Sequence, residues 1–276
     1  MEHTRSQAEK FLERFQERWG SPEPFAALYH PEAVIRSPVF SQPARGSDVA
    51  DAVARTRSLL PDIRLDVRDW VARGDVLFIE WKIAATFGGE PIGWAGMSRF
   101  TLRDGRAIEE LVCFDTLPLW ARVDPSMSRP GLLEAGQSAV SPESHHVATL
   151  TRYYEQVWNR GDIDLLDEVV SRDLVGHDVA IGDFGFEQLG EIVRMFRSSF
   201  PDFQVHAADV LARDDRIALR FRSEGTFTRE FMGCPPTGAR LSITGLVMYR
   251  FGGGKIAEIW VEWDHHRFWR EIGVPA

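Results

Sequence analysis

The sequence predicts an α+β protein of two tandem cone-shaped domains, each with three N-terminal helices packed on a curved antiparallel sheet. Three observations carry that expectation. The stretch Gly254-Lys255-Ile256-Ala257-Glu258-Ile259-Trp260-Val261-Glu262-Trp263-Asp264 repeats the design of Gly105-Arg106-Ala107-Ile108-Glu109-Glu110-Leu111-Val112-Cys113-Phe114-Asp115 without a gap, 149 positions on. Each half opens with segments of helical period and continues with segments that alternate. The 276 residues suit two domains better than one.

In the first helix, Ala8, Phe11, Leu12, Phe15 and Trp19 recur at helical spacing behind Ser6-Gln7-Ala8-Glu9, which has the form of a capping box. Val147, Leu150, Tyr154, Val157 and Trp158 are its counterpart, with Trp158 standing where Trp19 stands. Gly20-Ser21-Pro22 and Asn159-Arg160-Gly161-Asp162 stop the two helices, because glycine accepts left-handed geometry and proline cannot continue the ladder. A short second helix follows in each half, at Phe25 to Tyr29 and behind Asp162, and then a short strand in which Arg36 stands opposite His177. A third helix runs from about Asp48 to Leu60 and from about Phe186 to Phe200, and Pro61-Asp62 and Pro201-Asp202 end it. Hairpin-linked strands complete each copy, and the second carries an insertion, most simply Phe231 to Gly238. The expected boundaries are a first domain over 1–122, a linker rich in Pro, Ser and Gly over 123–144, and a second domain over 145–276.

A net charge of −9 with scattered arginines argues against a nucleic-acid or anionic-membrane surface. No apolar run approaches a membrane span. Cys113 and Cys234, one per half, suggest neither a disulfide framework nor a zinc site, and a cytoplasmic location is expected. The adjacent pairs His145-His146 and His265-His266 point apart on an extended chain and make poor metal pairs, so no metal is expected.

Tyr153 to Asp162, Leu174-Val175-Gly176-His177-Asp178, Phe200-Pro201-Asp202-Phe203, Gly225-Thr226-Phe227-Thr228, the insert Gly233 to Gly238, and Gly254 to Trp260 with Asp264 form a set of motifs in the second half. Through them that half resembles the SnoaL-like polyketide cyclases of the nuclear transport factor 2-like superfamily. The first half resembles the superfamily more loosely and lacks the insert. The resemblance implies a cofactor-independent cyclase or isomerase acting on a hydrophobic, oxygenated small molecule of secondary metabolism. It also implies that Asp264 is the general acid/base of an aldol closure. Phe227 stands where the family often has histidine, and Arg250 and Glu262 stand where the cyclases commonly use histidine.

Side chains two apart on a strand share a face, so Glu258, Trp260, Glu262 and Asp264 are expected along one wall of a pocket. A carboxyl among apolar groups has its pKa moved toward neutrality and becomes a proton shuttle. Asp264, Glu262 and His177 are the catalytic candidates, while Asp264 as a strand-end cap paired with an arginine and His177 as a structural histidine are the plain readings beside them. Tyr154, Trp158, Trp260, Met248, Arg250 and Phe227 are candidates for substrate contact, and Asp115, Arg36 and Trp19 for a second pocket in the first half. That half is expected to be degenerate or differently specialised. An epoxide-opening hydrolase or polyether-type cyclase is the alternative among enzymes, and a non-catalytic small-molecule-binding module the alternative outside them. The two copies are expected to form an intramolecular pseudo-dimer, with a homodimer as a further option.

Overall fold

The computed structural model describes residues 6–40, 42–115, 145–178 and 181–273, and the expected linker over 123–144 lies outside them. Two compact units, Met1–Glu134 and Ala135–Ala276, divide the chain. Among the described residues no helix is long and apolar enough to cross a membrane.

Helix α1 (Gln7–Arg18) begins where its sequence places it. Ser6 Oγ accepts from the Glu9 amide at 3.2 Å while Glu9 Oε2 accepts from the Ser6 amide at 2.7 Å. Its buried face is Ala8, Phe11, Leu12 and Phe15, and Gly20, at φ 79°, turns the chain into the short helix α2 (Pro22–Ala26). Strands β1 (Tyr29–Arg36) and β2 (Ala44–Arg45) precede α3 (Val49–Leu59), after which β3 (Arg64–Arg73), β4 (Val76–Phe87), β5 (Glu90–Arg103) and β6 (Arg106–Cys113) form an antiparallel meander.

The second unit repeats the plan. Helix α4 (His145–Arg152) runs on as a π-helical turn over Tyr153–Trp158, α5 (Leu166–Val169) leads into β7 (Val170–Asp178) and β8 (Gly182–Phe184), and α6 (Phe186–Ser199) precedes the meander. That meander is β9 (Gln204–Arg213), β10 (Arg216–Thr226), β11 (Arg240–Gly252) and β12 (Lys255–Trp263), and α7 (His265–Glu271) follows it. Both copies fasten the aspartate after the third helix in the same way. Asp62 accepts from the amide and hydroxyl of Thr86 at 2.9 and 2.7 Å, and Asp202 from those of Thr226 at 2.6 and 2.7 Å. The insert is braced by Thr237, whose hydroxyl donates to Ile272 O at 2.5 Å.

The sheets correct the expected cone and its antiparallel sheet. Their orders are β2-β1-β6-β5-β4-β3 and β8-β7-β12-β11-β10-β9, each open between two unpaired edge strands rather than curled and closed. Both are mixed, because β1 lies parallel to β6 and β7 parallel to β12. The physical reason is connectivity: a hairpin turn joins only antiparallel neighbours, whereas β1 reaches the last strand of its own sheet across a helix and four further strands.

The helices cover one face of each sheet, and each core lies between them. On the opposite face of the second sheet, Arg220 Nε donates to Asp209 Oδ2 at 2.8 Å with both side chains buried. Beside the last strand pair a large ring crosses a glycine in both copies. A Cβ on Gly96 would lie 2.4 Å from the Trp81 ring and 2.8 Å from Cys113 O, and one on Gly245 would lie 2.5 Å from Phe221 and 2.6 Å from Glu262 O. Overpacking against backbone has no cheap relief, so Gly96→Ala and Gly245→Ala are each expected to destabilise their unit by about 1–3 kcal/mol in urea unfolding.

Candidate functional site

The spacing that packs α1 onto its sheet also walls a cavity of about 280 Å³ in the first unit. Phe15, Trp19, Phe25, Trp81, Trp94 and Phe114 supply most of the aromatic lining. Its buried carboxyl residue is Glu110, whereas Asp48 in the lining is exposed. Glu110 on β6 is turned inward and is 7% exposed, and the hydroxyl of Tyr29 on β1 donates to Glu110 Oε2 at 2.8 Å. Ser98 on β5 is the carboxyl's second hydrogen-bond partner, and it in turn accepts from Trp81 Nε1 at 3.1 Å.

Burial pushes the Glu110 carboxyl up from 4.5 to about 7, against the lowering effect of its bonds to Tyr29 and Ser98. Burial, with the neighbouring Glu110 charge and hydrogen bond adding to it, raises the Tyr29 phenol well above its ordinary value. Tyr29 therefore remains a donor at neutral pH while Glu110 is divided between its two protonation states. A group poised in that way both accepts and returns a proton.

The twin positions in the second unit are apolar. Registers match between the copies: Tyr29 pairs with Ala107 as Val170 does with Ile256, and Ser98 with Val112 as Val247 does with Val261. Tyr29, Ser98 and Glu110 correspond to Val170, Val247 and Ile259, and Trp81 to Phe221. The exchange also runs the other way. Tyr154 and Tyr249 meet hydroxyl to hydroxyl at 2.6 Å in the second core, where the first has Phe15 and Phe100 with ring centroids 5.6 Å apart.

Of the residues expected in a second pocket, Trp19 lines the cavity, whereas Arg36 and Asp115 are outside its lining. Arg36 instead pairs with Glu109 at 2.6 Å, and Asp115 is buried just beyond the end of β6.

In the second unit, Glu258, Trp260 and Glu262 do alternate along β12, but Ile259, Val261 and Trp263 are the residues that pack against the helix-side core. The two glutamates and Trp260 therefore occupy the other face, where Met248 pairs with Trp260 and Arg250 with Glu258 across the ladder. His177 stacks on Trp260 with centroids 5.6 Å apart, its Nδ1 lies 2.9 Å from Asp183 and its Nε2 3.2 Å from Glu258. Partial burial works to lower the His177 pKa, and the bonds and charges of Asp183 and Glu258 outweigh it and hold the ring above 6.5. Arg250 holds Glu258 Oε2 through Nε at 2.9 Å and Nη2 at 2.7 Å.

Asp264 is the N-cap of α7, its Oδ1 accepting from the Arg267 amide at 3.1 Å. On the helix side, Phe227 is fully buried and stacks on Phe200 at 5.3 Å, and Trp158 packs edge-on against Tyr153 at 6.4 Å. Asp178 rather than its neighbour His177 reaches this side, accepting from Trp263 Nε1 at 3.0 Å with His265 Nε2 3.3 Å from its other oxygen. Among the described residues no group of three or more His, Cys, Asp or Glu could hold a metal ion.

Sequence reasoning missed Glu110, Tyr29, Ser98 and Trp81. A β-bulge hides Glu110: Thr101 pairs with Glu109 and Leu102 with Ala107, so Ile108 is the extra residue and Ala107 and Glu110 both turn inward. Counting by twos from Ala107 sends Glu110 to the wrong face. The usable signal was the pair Val112 and Phe114, whose parity marks Glu110 as core-facing.

Residues 148–272 match the family model described as SnoaL-like polyketide cyclase, and residues 8–110 match the model described as SnoaL-like domain. Among solved structures, the chain is similar to wild-type IdmH, a putative polyketide cyclase from Streptomyces antibioticus, at 29% identity over 48% of this chain and 100% of that one, with a TM-score of 0.42. It is similar to AclR, a putative hydroxylase from Streptomyces galilaeus, at 27% identity over 47% of this chain and 97% of that one, with a TM-score of 0.42. A putative SnoaL-like polyketide cyclase from Jannaschia sp. CCS1 is 21% identical over 51% of this chain and 100% of that one, with a TM-score of 0.45. No curated protein matches the chain.

Because the folded-state pKa of Glu110 is raised, folding favours its neutral form. That contribution is fully present below about pH 4, the unfolded carboxyl's range, and is lost once pH has risen through about 7. Relative to Glu110→Gln, the protein is expected to lose roughly 3 kcal/mol between pH 4 and pH 8, read from urea unfolding at each pH. Tyr29→Phe removes a lowering bond and is expected to extend the loss to higher pH.

Proposed function

Since the chain belongs to the SnoaL-like family through both of its units, we propose that it is a cofactor-independent acid/base catalyst, a cyclase or isomerase, acting on a hydrophobic, oxygenated small molecule of secondary metabolism. The observation that carries the reading is Glu110, a carboxyl poised near pH 7 on the wall of an apolar cavity and held by the Tyr29 hydroxyl.

In this reading the ionised Glu110 removes a proton from the carbon beside a substrate carbonyl, and the electron pair of the broken C–H bond moves into an enolate. In an isomerase the proton returns from Glu110 to a different carbon. In a cyclase the enolate carbon bonds to a second carbonyl of the same molecule, and the resulting alkoxide takes the proton back. Either sequence returns Glu110 to its starting state and needs no oxidant, reductant or cofactor. Tyr29 and Ser98 position the carboxyl, and the aromatic walls exclude the water that would otherwise solvate its charge. A general base in this position contributes about 10²–10⁴-fold.

Asp264 is the acid/base group that the family resemblance implies for the second unit, so one assay compares the two carboxyls. Deuterium exchange beside the carbonyl of a panel of aromatic and alicyclic ketones, followed by NMR, reads the proposed step without knowledge of the product. Glu110→Gln is expected to reduce exchange at least 100-fold. Asp264→Asn, which retains a good helix cap, is expected to leave exchange within about twofold. Full exchange in Glu110→Gln together with its loss in Asp264→Asn would move the chemistry to the second unit.

A further inference from the structure

The third helix of each unit brings one position to the same place, and the two copies fill it differently. At the end of α3 the Leu60 amide donates to Thr56 O at 2.8 Å, and at the end of α6 the Phe200 amide donates to Phe196 O at 2.8 Å. The turns that follow match as well, with the Ile63 amide 3.1 Å from Leu60 O and the Phe203 amide 2.9 Å from Phe200 O. Thr56 is therefore the counterpart of Phe196.

In the second unit the Phe196 ring is a hub of packing. Its centroid lies 6.1 Å from Trp158, 5.2 Å from Phe203 and 6.5 Å from Trp263. Those three stand where the first unit has Trp19, Ile63 and Phe114, and all three of the latter line the cavity together with Thr56. Phe231 adds a further contact at 5.1 Å, from the insert that the first half lacks. A benzyl group thus occupies in one copy what the other leaves as cavity. Thr56 makes no polar demand there, because its hydroxyl donates to Ala52 O at 2.9 Å within its own helix.

We propose that the cavity contains an aryl subsite beside Thr56, and that its ligand carries an aromatic ring which sits among Trp19, Ile63 and Phe114 as the Phe196 ring sits among their twins. Thr56 is then the residue that determines what the cavity admits. The proposal rests on the reading of this cavity as the substrate site, and it adds the group by which the substrate is held and the position that makes room for it. Tilted and edge-on contacts between rings attract beyond the area they bury, so walls such as Trp19 and Phe114 favour an aromatic ring over a saturated one. A polar group on that end of the ligand would lose its water without gaining a partner from Thr56, while Tyr29 and Ser98 are engaged with Glu110.

The test titrates toluene and methylcyclohexane, each a six-membered ring with one methyl group, into the full chain and into Thr56→Phe, with binding followed by NMR. Toluene is expected to bind the unsubstituted chain about 2–10-fold more tightly than methylcyclohexane. Thr56→Phe places a ring in the same volume and is expected to weaken toluene binding roughly 10-fold or more, with a urea midpoint no lower than that of the unsubstituted chain. Undiminished toluene binding in Thr56→Phe overturns the proposal, and so does methylcyclohexane binding as tight as that of toluene. Should Thr56→Phe be destabilised or fail to fold, nuclear Overhauser effects in the unsubstituted chain decide: toluene ring protons are expected to reach the Thr56 methyl group and the Trp19 and Phe114 rings, and their absence overturns the proposal. Toluene has no carbonyl, so its binding is blind to the proton step. Glu110→Gln is expected to bind it as the unsubstituted chain does, so loss of the catalytic reading and loss of this one are separately visible.

Discussion

Glu110 carries a carboxyl into a cavity walled by Phe15, Trp81, Trp94 and Phe114, and ionising it there forfeits the hydration that water would supply. The first unit answers with hydrogen bonds rather than with a cation. Tyr29 donates to the carboxyl, Ser98 is its second partner, and Trp81 donates to Ser98, so strands β1, β4, β5 and β6 each contribute one member of the chain. These bonds do not cancel the desolvation, and the balance lies near neutrality. A guanidinium in the same place would have fixed the charge and ended any traffic in protons.

The duplication supplies an internal comparison. Two copies share the cap of the third helix's exit, the edge order of the sheet, the bulge in the last hairpin and the ring crossing a glycine. What differs is where each core places its polar atoms. The second unit has hydroxyls at Tyr154 and Tyr249 and hydrocarbon at Val170, Val247 and Ile259; the first has the reverse. A scaffold that folds with valine and isoleucine at those positions has no structural need of a buried tyrosine, serine and glutamate there. A satisfied buried polar network fixes one arrangement of its core, and each copy has built its own.

Alternation along β12 and the family resemblance together singled out Glu262 and Asp264 from the sequence, and alternation did place Glu258, Trp260 and Glu262 on one face. Which face that was depended on the bulge at Ala257, where Arg250 pairs with Glu258 but Phe251 with Ile256. His177 followed the same logic one strand away, joining Glu258 and Asp183 while Asp178 turned toward Trp263. Asp264 was legible as the end of the strand, and its carboxylate became the cap of a helix that periodicity had not marked.

By itself the sequence determined the tandem repeat, the three N-terminal helices and the four-stranded meander of each copy, the capping box at Ser6 and the Pro-Asp stops, because each of these is settled by neighbours within a few residues, whereas the short strands β2 and β8 and the closing helix α7 went unmarked. It also carried the family resemblance, which is a property of local motifs. Only the tertiary structure decided that the sheets stay open and mixed, that one extra residue in the last hairpin turns Glu110 inward, and that Phe196 fills in one unit the place Thr56 leaves as cavity in the other. Those outcomes depend on strands and side chains far apart in the chain meeting at a particular register, and a shift of one residue in that register reverses every face beyond it.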